Sequence, residues 1–118
     1  MKPYFLLLLS LLFNVGCAQS SSKPITEVSQ NELDNVILVD VRTPEEYATG
    51  HIENSQNINL YDTAFESRFK DIAKDETIYV YCKLGGRSAQ AQQKLNAMGF
   101  TNVVNLEGGY DAWVKVDK

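Results

Sequence analysis

Thr77-Ile78-Tyr79-Val80-Tyr81-Cys82-Lys83-Leu84-Gly85-Gly86-Arg87-Ser88 is the stretch on which the reading of this chain turns. Its first five residues are β-branched or aromatic, the types that suit a pleated strand. Gly85-Gly86 break that pattern, and Arg87 to Met98, rich in Ala, Gln and Leu, reads as a helix stopped by Gly99. Cys82 therefore falls at the carboxyl end of a strand, the edge where open parallel sheets bind their ligands. The two glycines can adopt backbone angles closed to other residues, so that successive N–H groups converge. Those amides, the helix N-terminus, Lys83 and Arg87 all favour negative charge. A thiol placed there is expected to have a lowered pKa and to be reactive, with Cys82 as nucleophile and residues 83–88 as its binding loop.

The flanking sequence supplies the remaining elements. Val36-Ile37-Leu38-Val39 is a continuous apolar run suited to a strand buried on both faces. Thr43-Pro44-Glu45-Glu46 predicts a helix start, with Thr43 as N-cap, Pro44 in the first turn and Glu46 completing a capping box; Gly50 closes that helix. Gln56-Asn57-Ile58-Asn59 reads as a brief strand. The spacing of Phe65, Phe69 and Ile72 predicts a helix over residues 64–72. Val103-Val104 is another short strand, and Tyr110 to Lys115 a last helix. Strands alternating with helices imply a mostly parallel sheet covered on both faces.

Composition removes several classes. The 118 residues suffice for one domain, and 44% hydrophobic residues suffice for a core. Eleven basic against 15 acidic residues, a net charge of -4, argue against nucleic acid as a partner. With two cysteines, Cys17 and Cys82, and one histidine, His51, neither a structural zinc site nor a disulfide framework is expected. No metal or other cofactor is called for, and the chain is expected to act as a monomer.

The beginning of the chain reads as an address. Lys2 precedes an apolar run from Tyr4 to Phe13 that is too short for a spanning helix but fits a secretory signal. Asn14-Val15-Gly16-Cys17 resembles a bacterial lipobox. This resemblance implies that residues 1–16 are a signal peptide, that Cys17 is acylated and becomes the first mature residue, and that the protein is lipid-anchored in the cell envelope facing the periplasm. The rival reading is ordinary signal-peptidase cleavage after Ala18, giving a soluble periplasmic or secreted protein. Residues 17–23, with Ser20-Ser21-Ser22, read as a flexible tether ahead of a domain over residues 24–118.

Cys82 to Ser88 resembles the active loop of the rhodanese-like sulfurtransferases. Asp40-Val41-Arg42, Glu45-Glu46-Tyr47, Gly50-His51-Ile52 and Asn57-Ile58 are similar to that family's first signature, and Leu106-Glu107-Gly108-Gly109-Tyr110-Asp111-Ala112-Trp113 to its closing one. Glu53-Asn54 departs from the family's usual Pro-Gly, in a turn where local rigidity is the expected consequence. The resemblance implies a central five-stranded parallel sheet. It also implies sulfur transfer from a donor such as thiosulfate, through a persulfide on Cys82, to cyanide, a thiol or a sulfur-acceptor protein. In the same family frame the loop amides would stabilise the terminal sulfur, Arg87 would orient the loop, and Lys83 would attract an anionic donor or be plain surface charge. Relatives acting as phosphatases or arsenate reductases use one more residue between cysteine and arginine. The four residues here, 83–86, favour sulfur.

Several residues carry modest expectations. Ser88 reads as a helix cap before a sulfur ligand. Asp40 and Arg42 are secondary site candidates expected to pair structurally, with Arg42 directed to Glu46. His51 is expected to be hydrogen-bonded structure, and Tyr110 and Trp113 core or lid. Two other functions stay open at this level: an anchored sulfur-relay or interaction module, and a redox role for Cys82 with a freed Cys17.

Overall fold

The apolar run before Cys82 forms the middle strand of a five-stranded sheet in the computed structural model, which describes residues 21–116. In chain order the elements are β1 (Ser22–Pro24), α1 (Gln30–Asp34), β2 (Ile37–Asp40), α2 (Pro44–Thr49), β3 (Gln56–Asn57), β4 (Thr77–Tyr81), α3 (Gly86–Ala97), β5 (Asn102–Glu107) and α4 (Gly109–Lys115). The sheet runs β1-β5-β4-β2-β3, and every pair is parallel. All carboxyl ends therefore share one edge, and Cys82 follows the central strand on it.

The continuous apolar runs are explained by burial on both faces. Val39, Ile78, Val80 and Val103 pack with Phe65, Phe69 and, from α3, Ala91 and Leu95. Leu38, Tyr79, Tyr81 and Leu106 face the other way, onto Ile25, Leu33 and Trp113 of the opposite layer. The expected architecture of helices on both faces is the observed one.

The start of α2 follows its sequence signals residue by residue. Thr43 accepts from the Glu46 amide, Glu46 accepts from the Thr43 amide, and Pro44 opens the helix. Gly50 ends it with φ 157°.

Two expectations are corrected, and one helix is added. Residues 64–72 do not form an α-helix. They make turns and a 3-10 segment, Glu66–Phe69, held by contacts such as Lys70 N–H to Ser67 O and Ile72 N–H to Phe69 O. Tight i→i+3 turns still bring Phe65 and Phe69 into the core. The tether ends earlier than expected, since Ser22 and Lys23 are strand residues paired with Asn105 and Leu106. Asn105 N–H and Gln92 Nε2 both donate to Ser21 O, so the fold begins there rather than at residue 24. Finally, α1, whose N-cap is Ser29 accepting from the Glu32 amide, has no counterpart in the sequence reading.

At the Glu53-Asn54 turn, Asn54 takes φ 71°, a conformation that asparagine tolerates better than most residues. Its Nδ2 donates to Asp34, and Gln30 donates to Glu53 O, so α1 fastens this turn.

Candidate active site

Cys82 is 1% exposed, and residues 83–85 wrap its sulfur before α3 begins. Gly85 N–H donates to Sγ at 3.0 Å, and Ser88 Oγ lies 3.4 Å from it. Burial pushes the thiol pKa up. Hydrogen bonds from the Ser88 hydroxyl and from the Ser88, Gly85 and Leu84 amides outweigh that and hold it below the ordinary value.

The two loop glycines differ. Gly85 has φ 120°, which favours glycine, and its carbonyl accepts from Ala89 N–H and faces the Ser88 hydroxyl at 3.1 Å. Gly86 has no positive φ, and a side chain there would point into open space. The expectation that both supply unusual backbone angles holds only for Gly85. Ser88 is corrected as well. It lies inside α3, the N-cap is Gly85 with no side-chain cap, and its hydroxyl serves the sulfur and the loop.

Arg87 is not a free surface cation. Its Nη1 and Nη2 donate to Glu46 Oε1 and Oε2 at 2.8 and 3.0 Å, a bidentate pair from α3 to α2. Arg87, together with Thr43 N–H and hydroxyl, lowers the Glu46 pKa to about 2 against the opposing effect of burial. Glu46 is thus taken by Arg87, and the expected Arg42–Glu46 bond does not form. Arg42 instead donates through Nε and Nη2 to Asp40 at 2.9 and 2.6 Å, and through Nη2 to Gly50 O at 2.7 Å. Asp40 and Arg42 are 0% and 3% exposed, and Arg42 stacks against the Tyr110 ring. The two side chains form a buried ion pair. Lys83 is half exposed, with Nζ 3.0 Å from Asp111. Leu84 is the apolar residue of the loop that faces solvent, at 68% exposure.

His51 donates through Nδ1–H to Tyr47 O and stacks on the Tyr47 ring, with centroids 3.7 Å apart. Trp113 is buried.

The sequence reading missed two supports of the loop. Tyr110 N–H donates to Cys82 O at 2.8 Å, and Asp111 N–H to Lys83 O at 3.1 Å. The start of α4 therefore seats the loop from behind. Gly109 allows that approach, because a Cβ there would lie 2.3 Å from Lys83 O. Asn105 is the second support: it is buried and points Nδ2 at Gly85 O, 3.5 Å away. Contacts this distant in sequence leave no local pattern, although Gly108-Gly109 was a visible signal. Among the described residues, no group of three or more His, Cys, Asp or Glu side chains converges as a metal site would.

This arrangement can hold a thiolate at a strand end and surround added negative charge with amides. Comparison with known proteins gives it a family. A sulfurtransferase of Allochromatium vinosum is 37% identical over 84 residues, 71% of this chain and 77% of the relative. Thiosulfate sulfurtransferase PspE of Escherichia coli is 37% identical over 70 residues, 59% of this chain and 67% of PspE. The crystal structure of a Staphylococcus saprophyticus protein, SSP1007, superposes with a TM-score of 0.68 at 39% identity, covering 79% of this chain and 92% of that one. Other curated relatives are longer proteins, of which the chain spans 27% in one case and 20% in another. The Rhodanese-like domain family matches residues 26–116, and with that span and these relatives the chain belongs to the rhodanese-like domain family.

Proposed function

We propose that the protein is a sulfurtransferase that carries a sulfane sulfur as a persulfide on Cys82. The observation that carries this reading is the pair of contacts on Sγ, from Gly85 N–H and the Ser88 hydroxyl, inside a loop with four residues between cysteine and arginine. In the first half-reaction the thiolate attacks the outer sulfur of a donor such as thiosulfate. An Sγ–S bond forms, the donor S–S bond breaks, and sulfite leaves with the electron pair. In this reading the amides of Leu84, Gly85 and Ser88, which hydrogen-bond to Sγ, stabilise the added sulfur. In the second half-reaction cyanide or a thiol takes that sulfur, and the thiolate is restored. A sulfur-acceptor protein is the physiological alternative to a small acceptor. Relatives named as sulfurtransferases support the reaction class.

The proposal extends to location. Export and lipid anchoring through Cys17 rest on the sequence alone, since residues 1–20 lie outside the described residues.

Transfer from thiosulfate to cyanide by the full chain, with Cys82→Ser in parallel, tests the chemistry. Thiocyanate production lost in the variant, with a one-sulfur mass gain on the wild type, supports it. Equal rates in both proteins refute it. Fatty-acid labelling of cells expressing wild type or Cys17→Ala tests the anchor, and an unlabelled wild type removes it.

A further inference from the structure

Both basic side chains of the loop are held by carboxylates from other elements. Glu46 of α2 clasps Arg87, and Asp111 of α4 brings its two oxygens within 3.1 and 3.0 Å of Lys83 Nζ. The next cation along this edge, Arg42, is clamped by Asp40. Arg68 reaches the Asn57 carbonyl on β3, and β2 separates that strand from β4. Formal charges beside Cys82 therefore cancel in pairs. The amides still favour charge on the transferred sulfur itself, but an anion arriving from solvent meets little net attraction. The solvent-facing side chain of the loop itself is apolar instead: Leu84 is 68% exposed.

We propose that Glu46 and Asp111 are specificity-determining residues that screen the mouth of the loop, so that it disfavours dianionic sulfur donors and favours singly charged donors bearing an apolar group. This rests on the sulfurtransferase reading above. Thiosulfate and an organic thiosulfonate, R–SO2–S⁻, undergo the same step. The Cys82 thiolate bonds to the outer sulfur, the S–S bond breaks, and sulfite or the sulfinate leaves with the electron pair. Only the thiosulfonate replaces one anionic oxygen by a group that Leu84 can cover.

The test uses the full chain with thiosulfate or benzenethiosulfonate as donor and cyanide as acceptor. Its readout is the ratio of the two kcat/KM values. Asp111→Asn frees Lys83, and Glu46→Gln frees Arg87 from a negative charge while keeping a residue able to complete the capping box. Each is expected to raise the ratio in favour of thiosulfate by about threefold, mainly through KM, and added salt should erase the gain. Leu84→Ser should raise the same ratio by weakening thiosulfonate use, and salt should not erase that effect. An unchanged ratio in both charge variants overturns the proposal, as does a gain that survives high salt. If the wild type transfers sulfur from neither donor, or no faster than Cys82→Ser, the sulfurtransferase reading itself fails and this proposal falls with it.

Discussion

Arg87 and Glu46, 41 residues apart in the chain, meet through two parallel hydrogen bonds that tie the first turn of α3 to the first turn of α2. The same carboxylate closes the capping box of α2, so one side chain secures both a helix start and the arginine of the loop. The unfolded Glu46 pKa is ordinary and the folded one is lowered to about 2. Its stabilising contribution is therefore complete above the unfolded value and lost as pH falls through about 2. Allowing for partial exposure, about 1–2 kcal/mol should disappear over that window. Urea unfolding of wild type and Glu46→Ala between neutral and acidic pH checks this: the difference between them should shrink as pH falls.

Ser88 should tune the sulfur. Replacing it by alanine removes the hydroxyl that faces Sγ but leaves its amide. The Cys82 pKa is expected to rise, lowering the thiolate fraction at neutral pH by about threefold. Thiolate absorbance followed against pH measures it directly. An unshifted titration would show that the amides alone hold the thiolate.

Gly85 and Gly86 should respond oppositely to alanine. At Gly85, with φ 120°, the substitution is expected to cost about 1–3 kcal/mol. At Gly86 the new methyl group meets nothing within 4 Å, and in a helix alanine gains up to about 1 kcal/mol over glycine. Paired denaturant melts decide it.

Removing Arg42 should be among the costliest changes in the chain. Arg42→Ala leaves Asp40, 0% exposed, without its partner, and a loss of about 3–5 kcal/mol is expected. Thermal unfolding reads the loss. A shift of under 1 kcal/mol would mean that water reaches Asp40 once the guanidinium is gone.

What the sequence disclosed followed the range of the interactions involved. Thr43, Pro44 and Glu46 act within one helical turn as cap, first residue and capping-box partner, and those local roles were legible. The position of Cys82 between a strand and a helix was legible because the strand before it and the glycines after it are local signals. Ser22-Lys23-Pro24 has no apolar period, and becomes a strand only because β5 offers it an open edge. Phe65, Phe69 and Ile72 have helical spacing, but that spacing requires only that three side chains share a side, which 3-10 turns also deliver. The partner of Arg87 was hidden by distance. Assigning Glu46 to the nearby Arg42 overlooked that Asp40, two residues away along the strand end, had first claim.

The parallel docking of β1 fixes the direction in which the chain enters the sheet. Ser22 stands level with Asn105, which stands level with Val80, so Ser21 lies three residues short of Cys82 along the strand axis, roughly 10 Å. The chain enters the sheet travelling toward its reactive edge. Anything that fastened the protein upstream of Ser21 would join the sheet behind the edge that carries Cys82, level with the middle of β4.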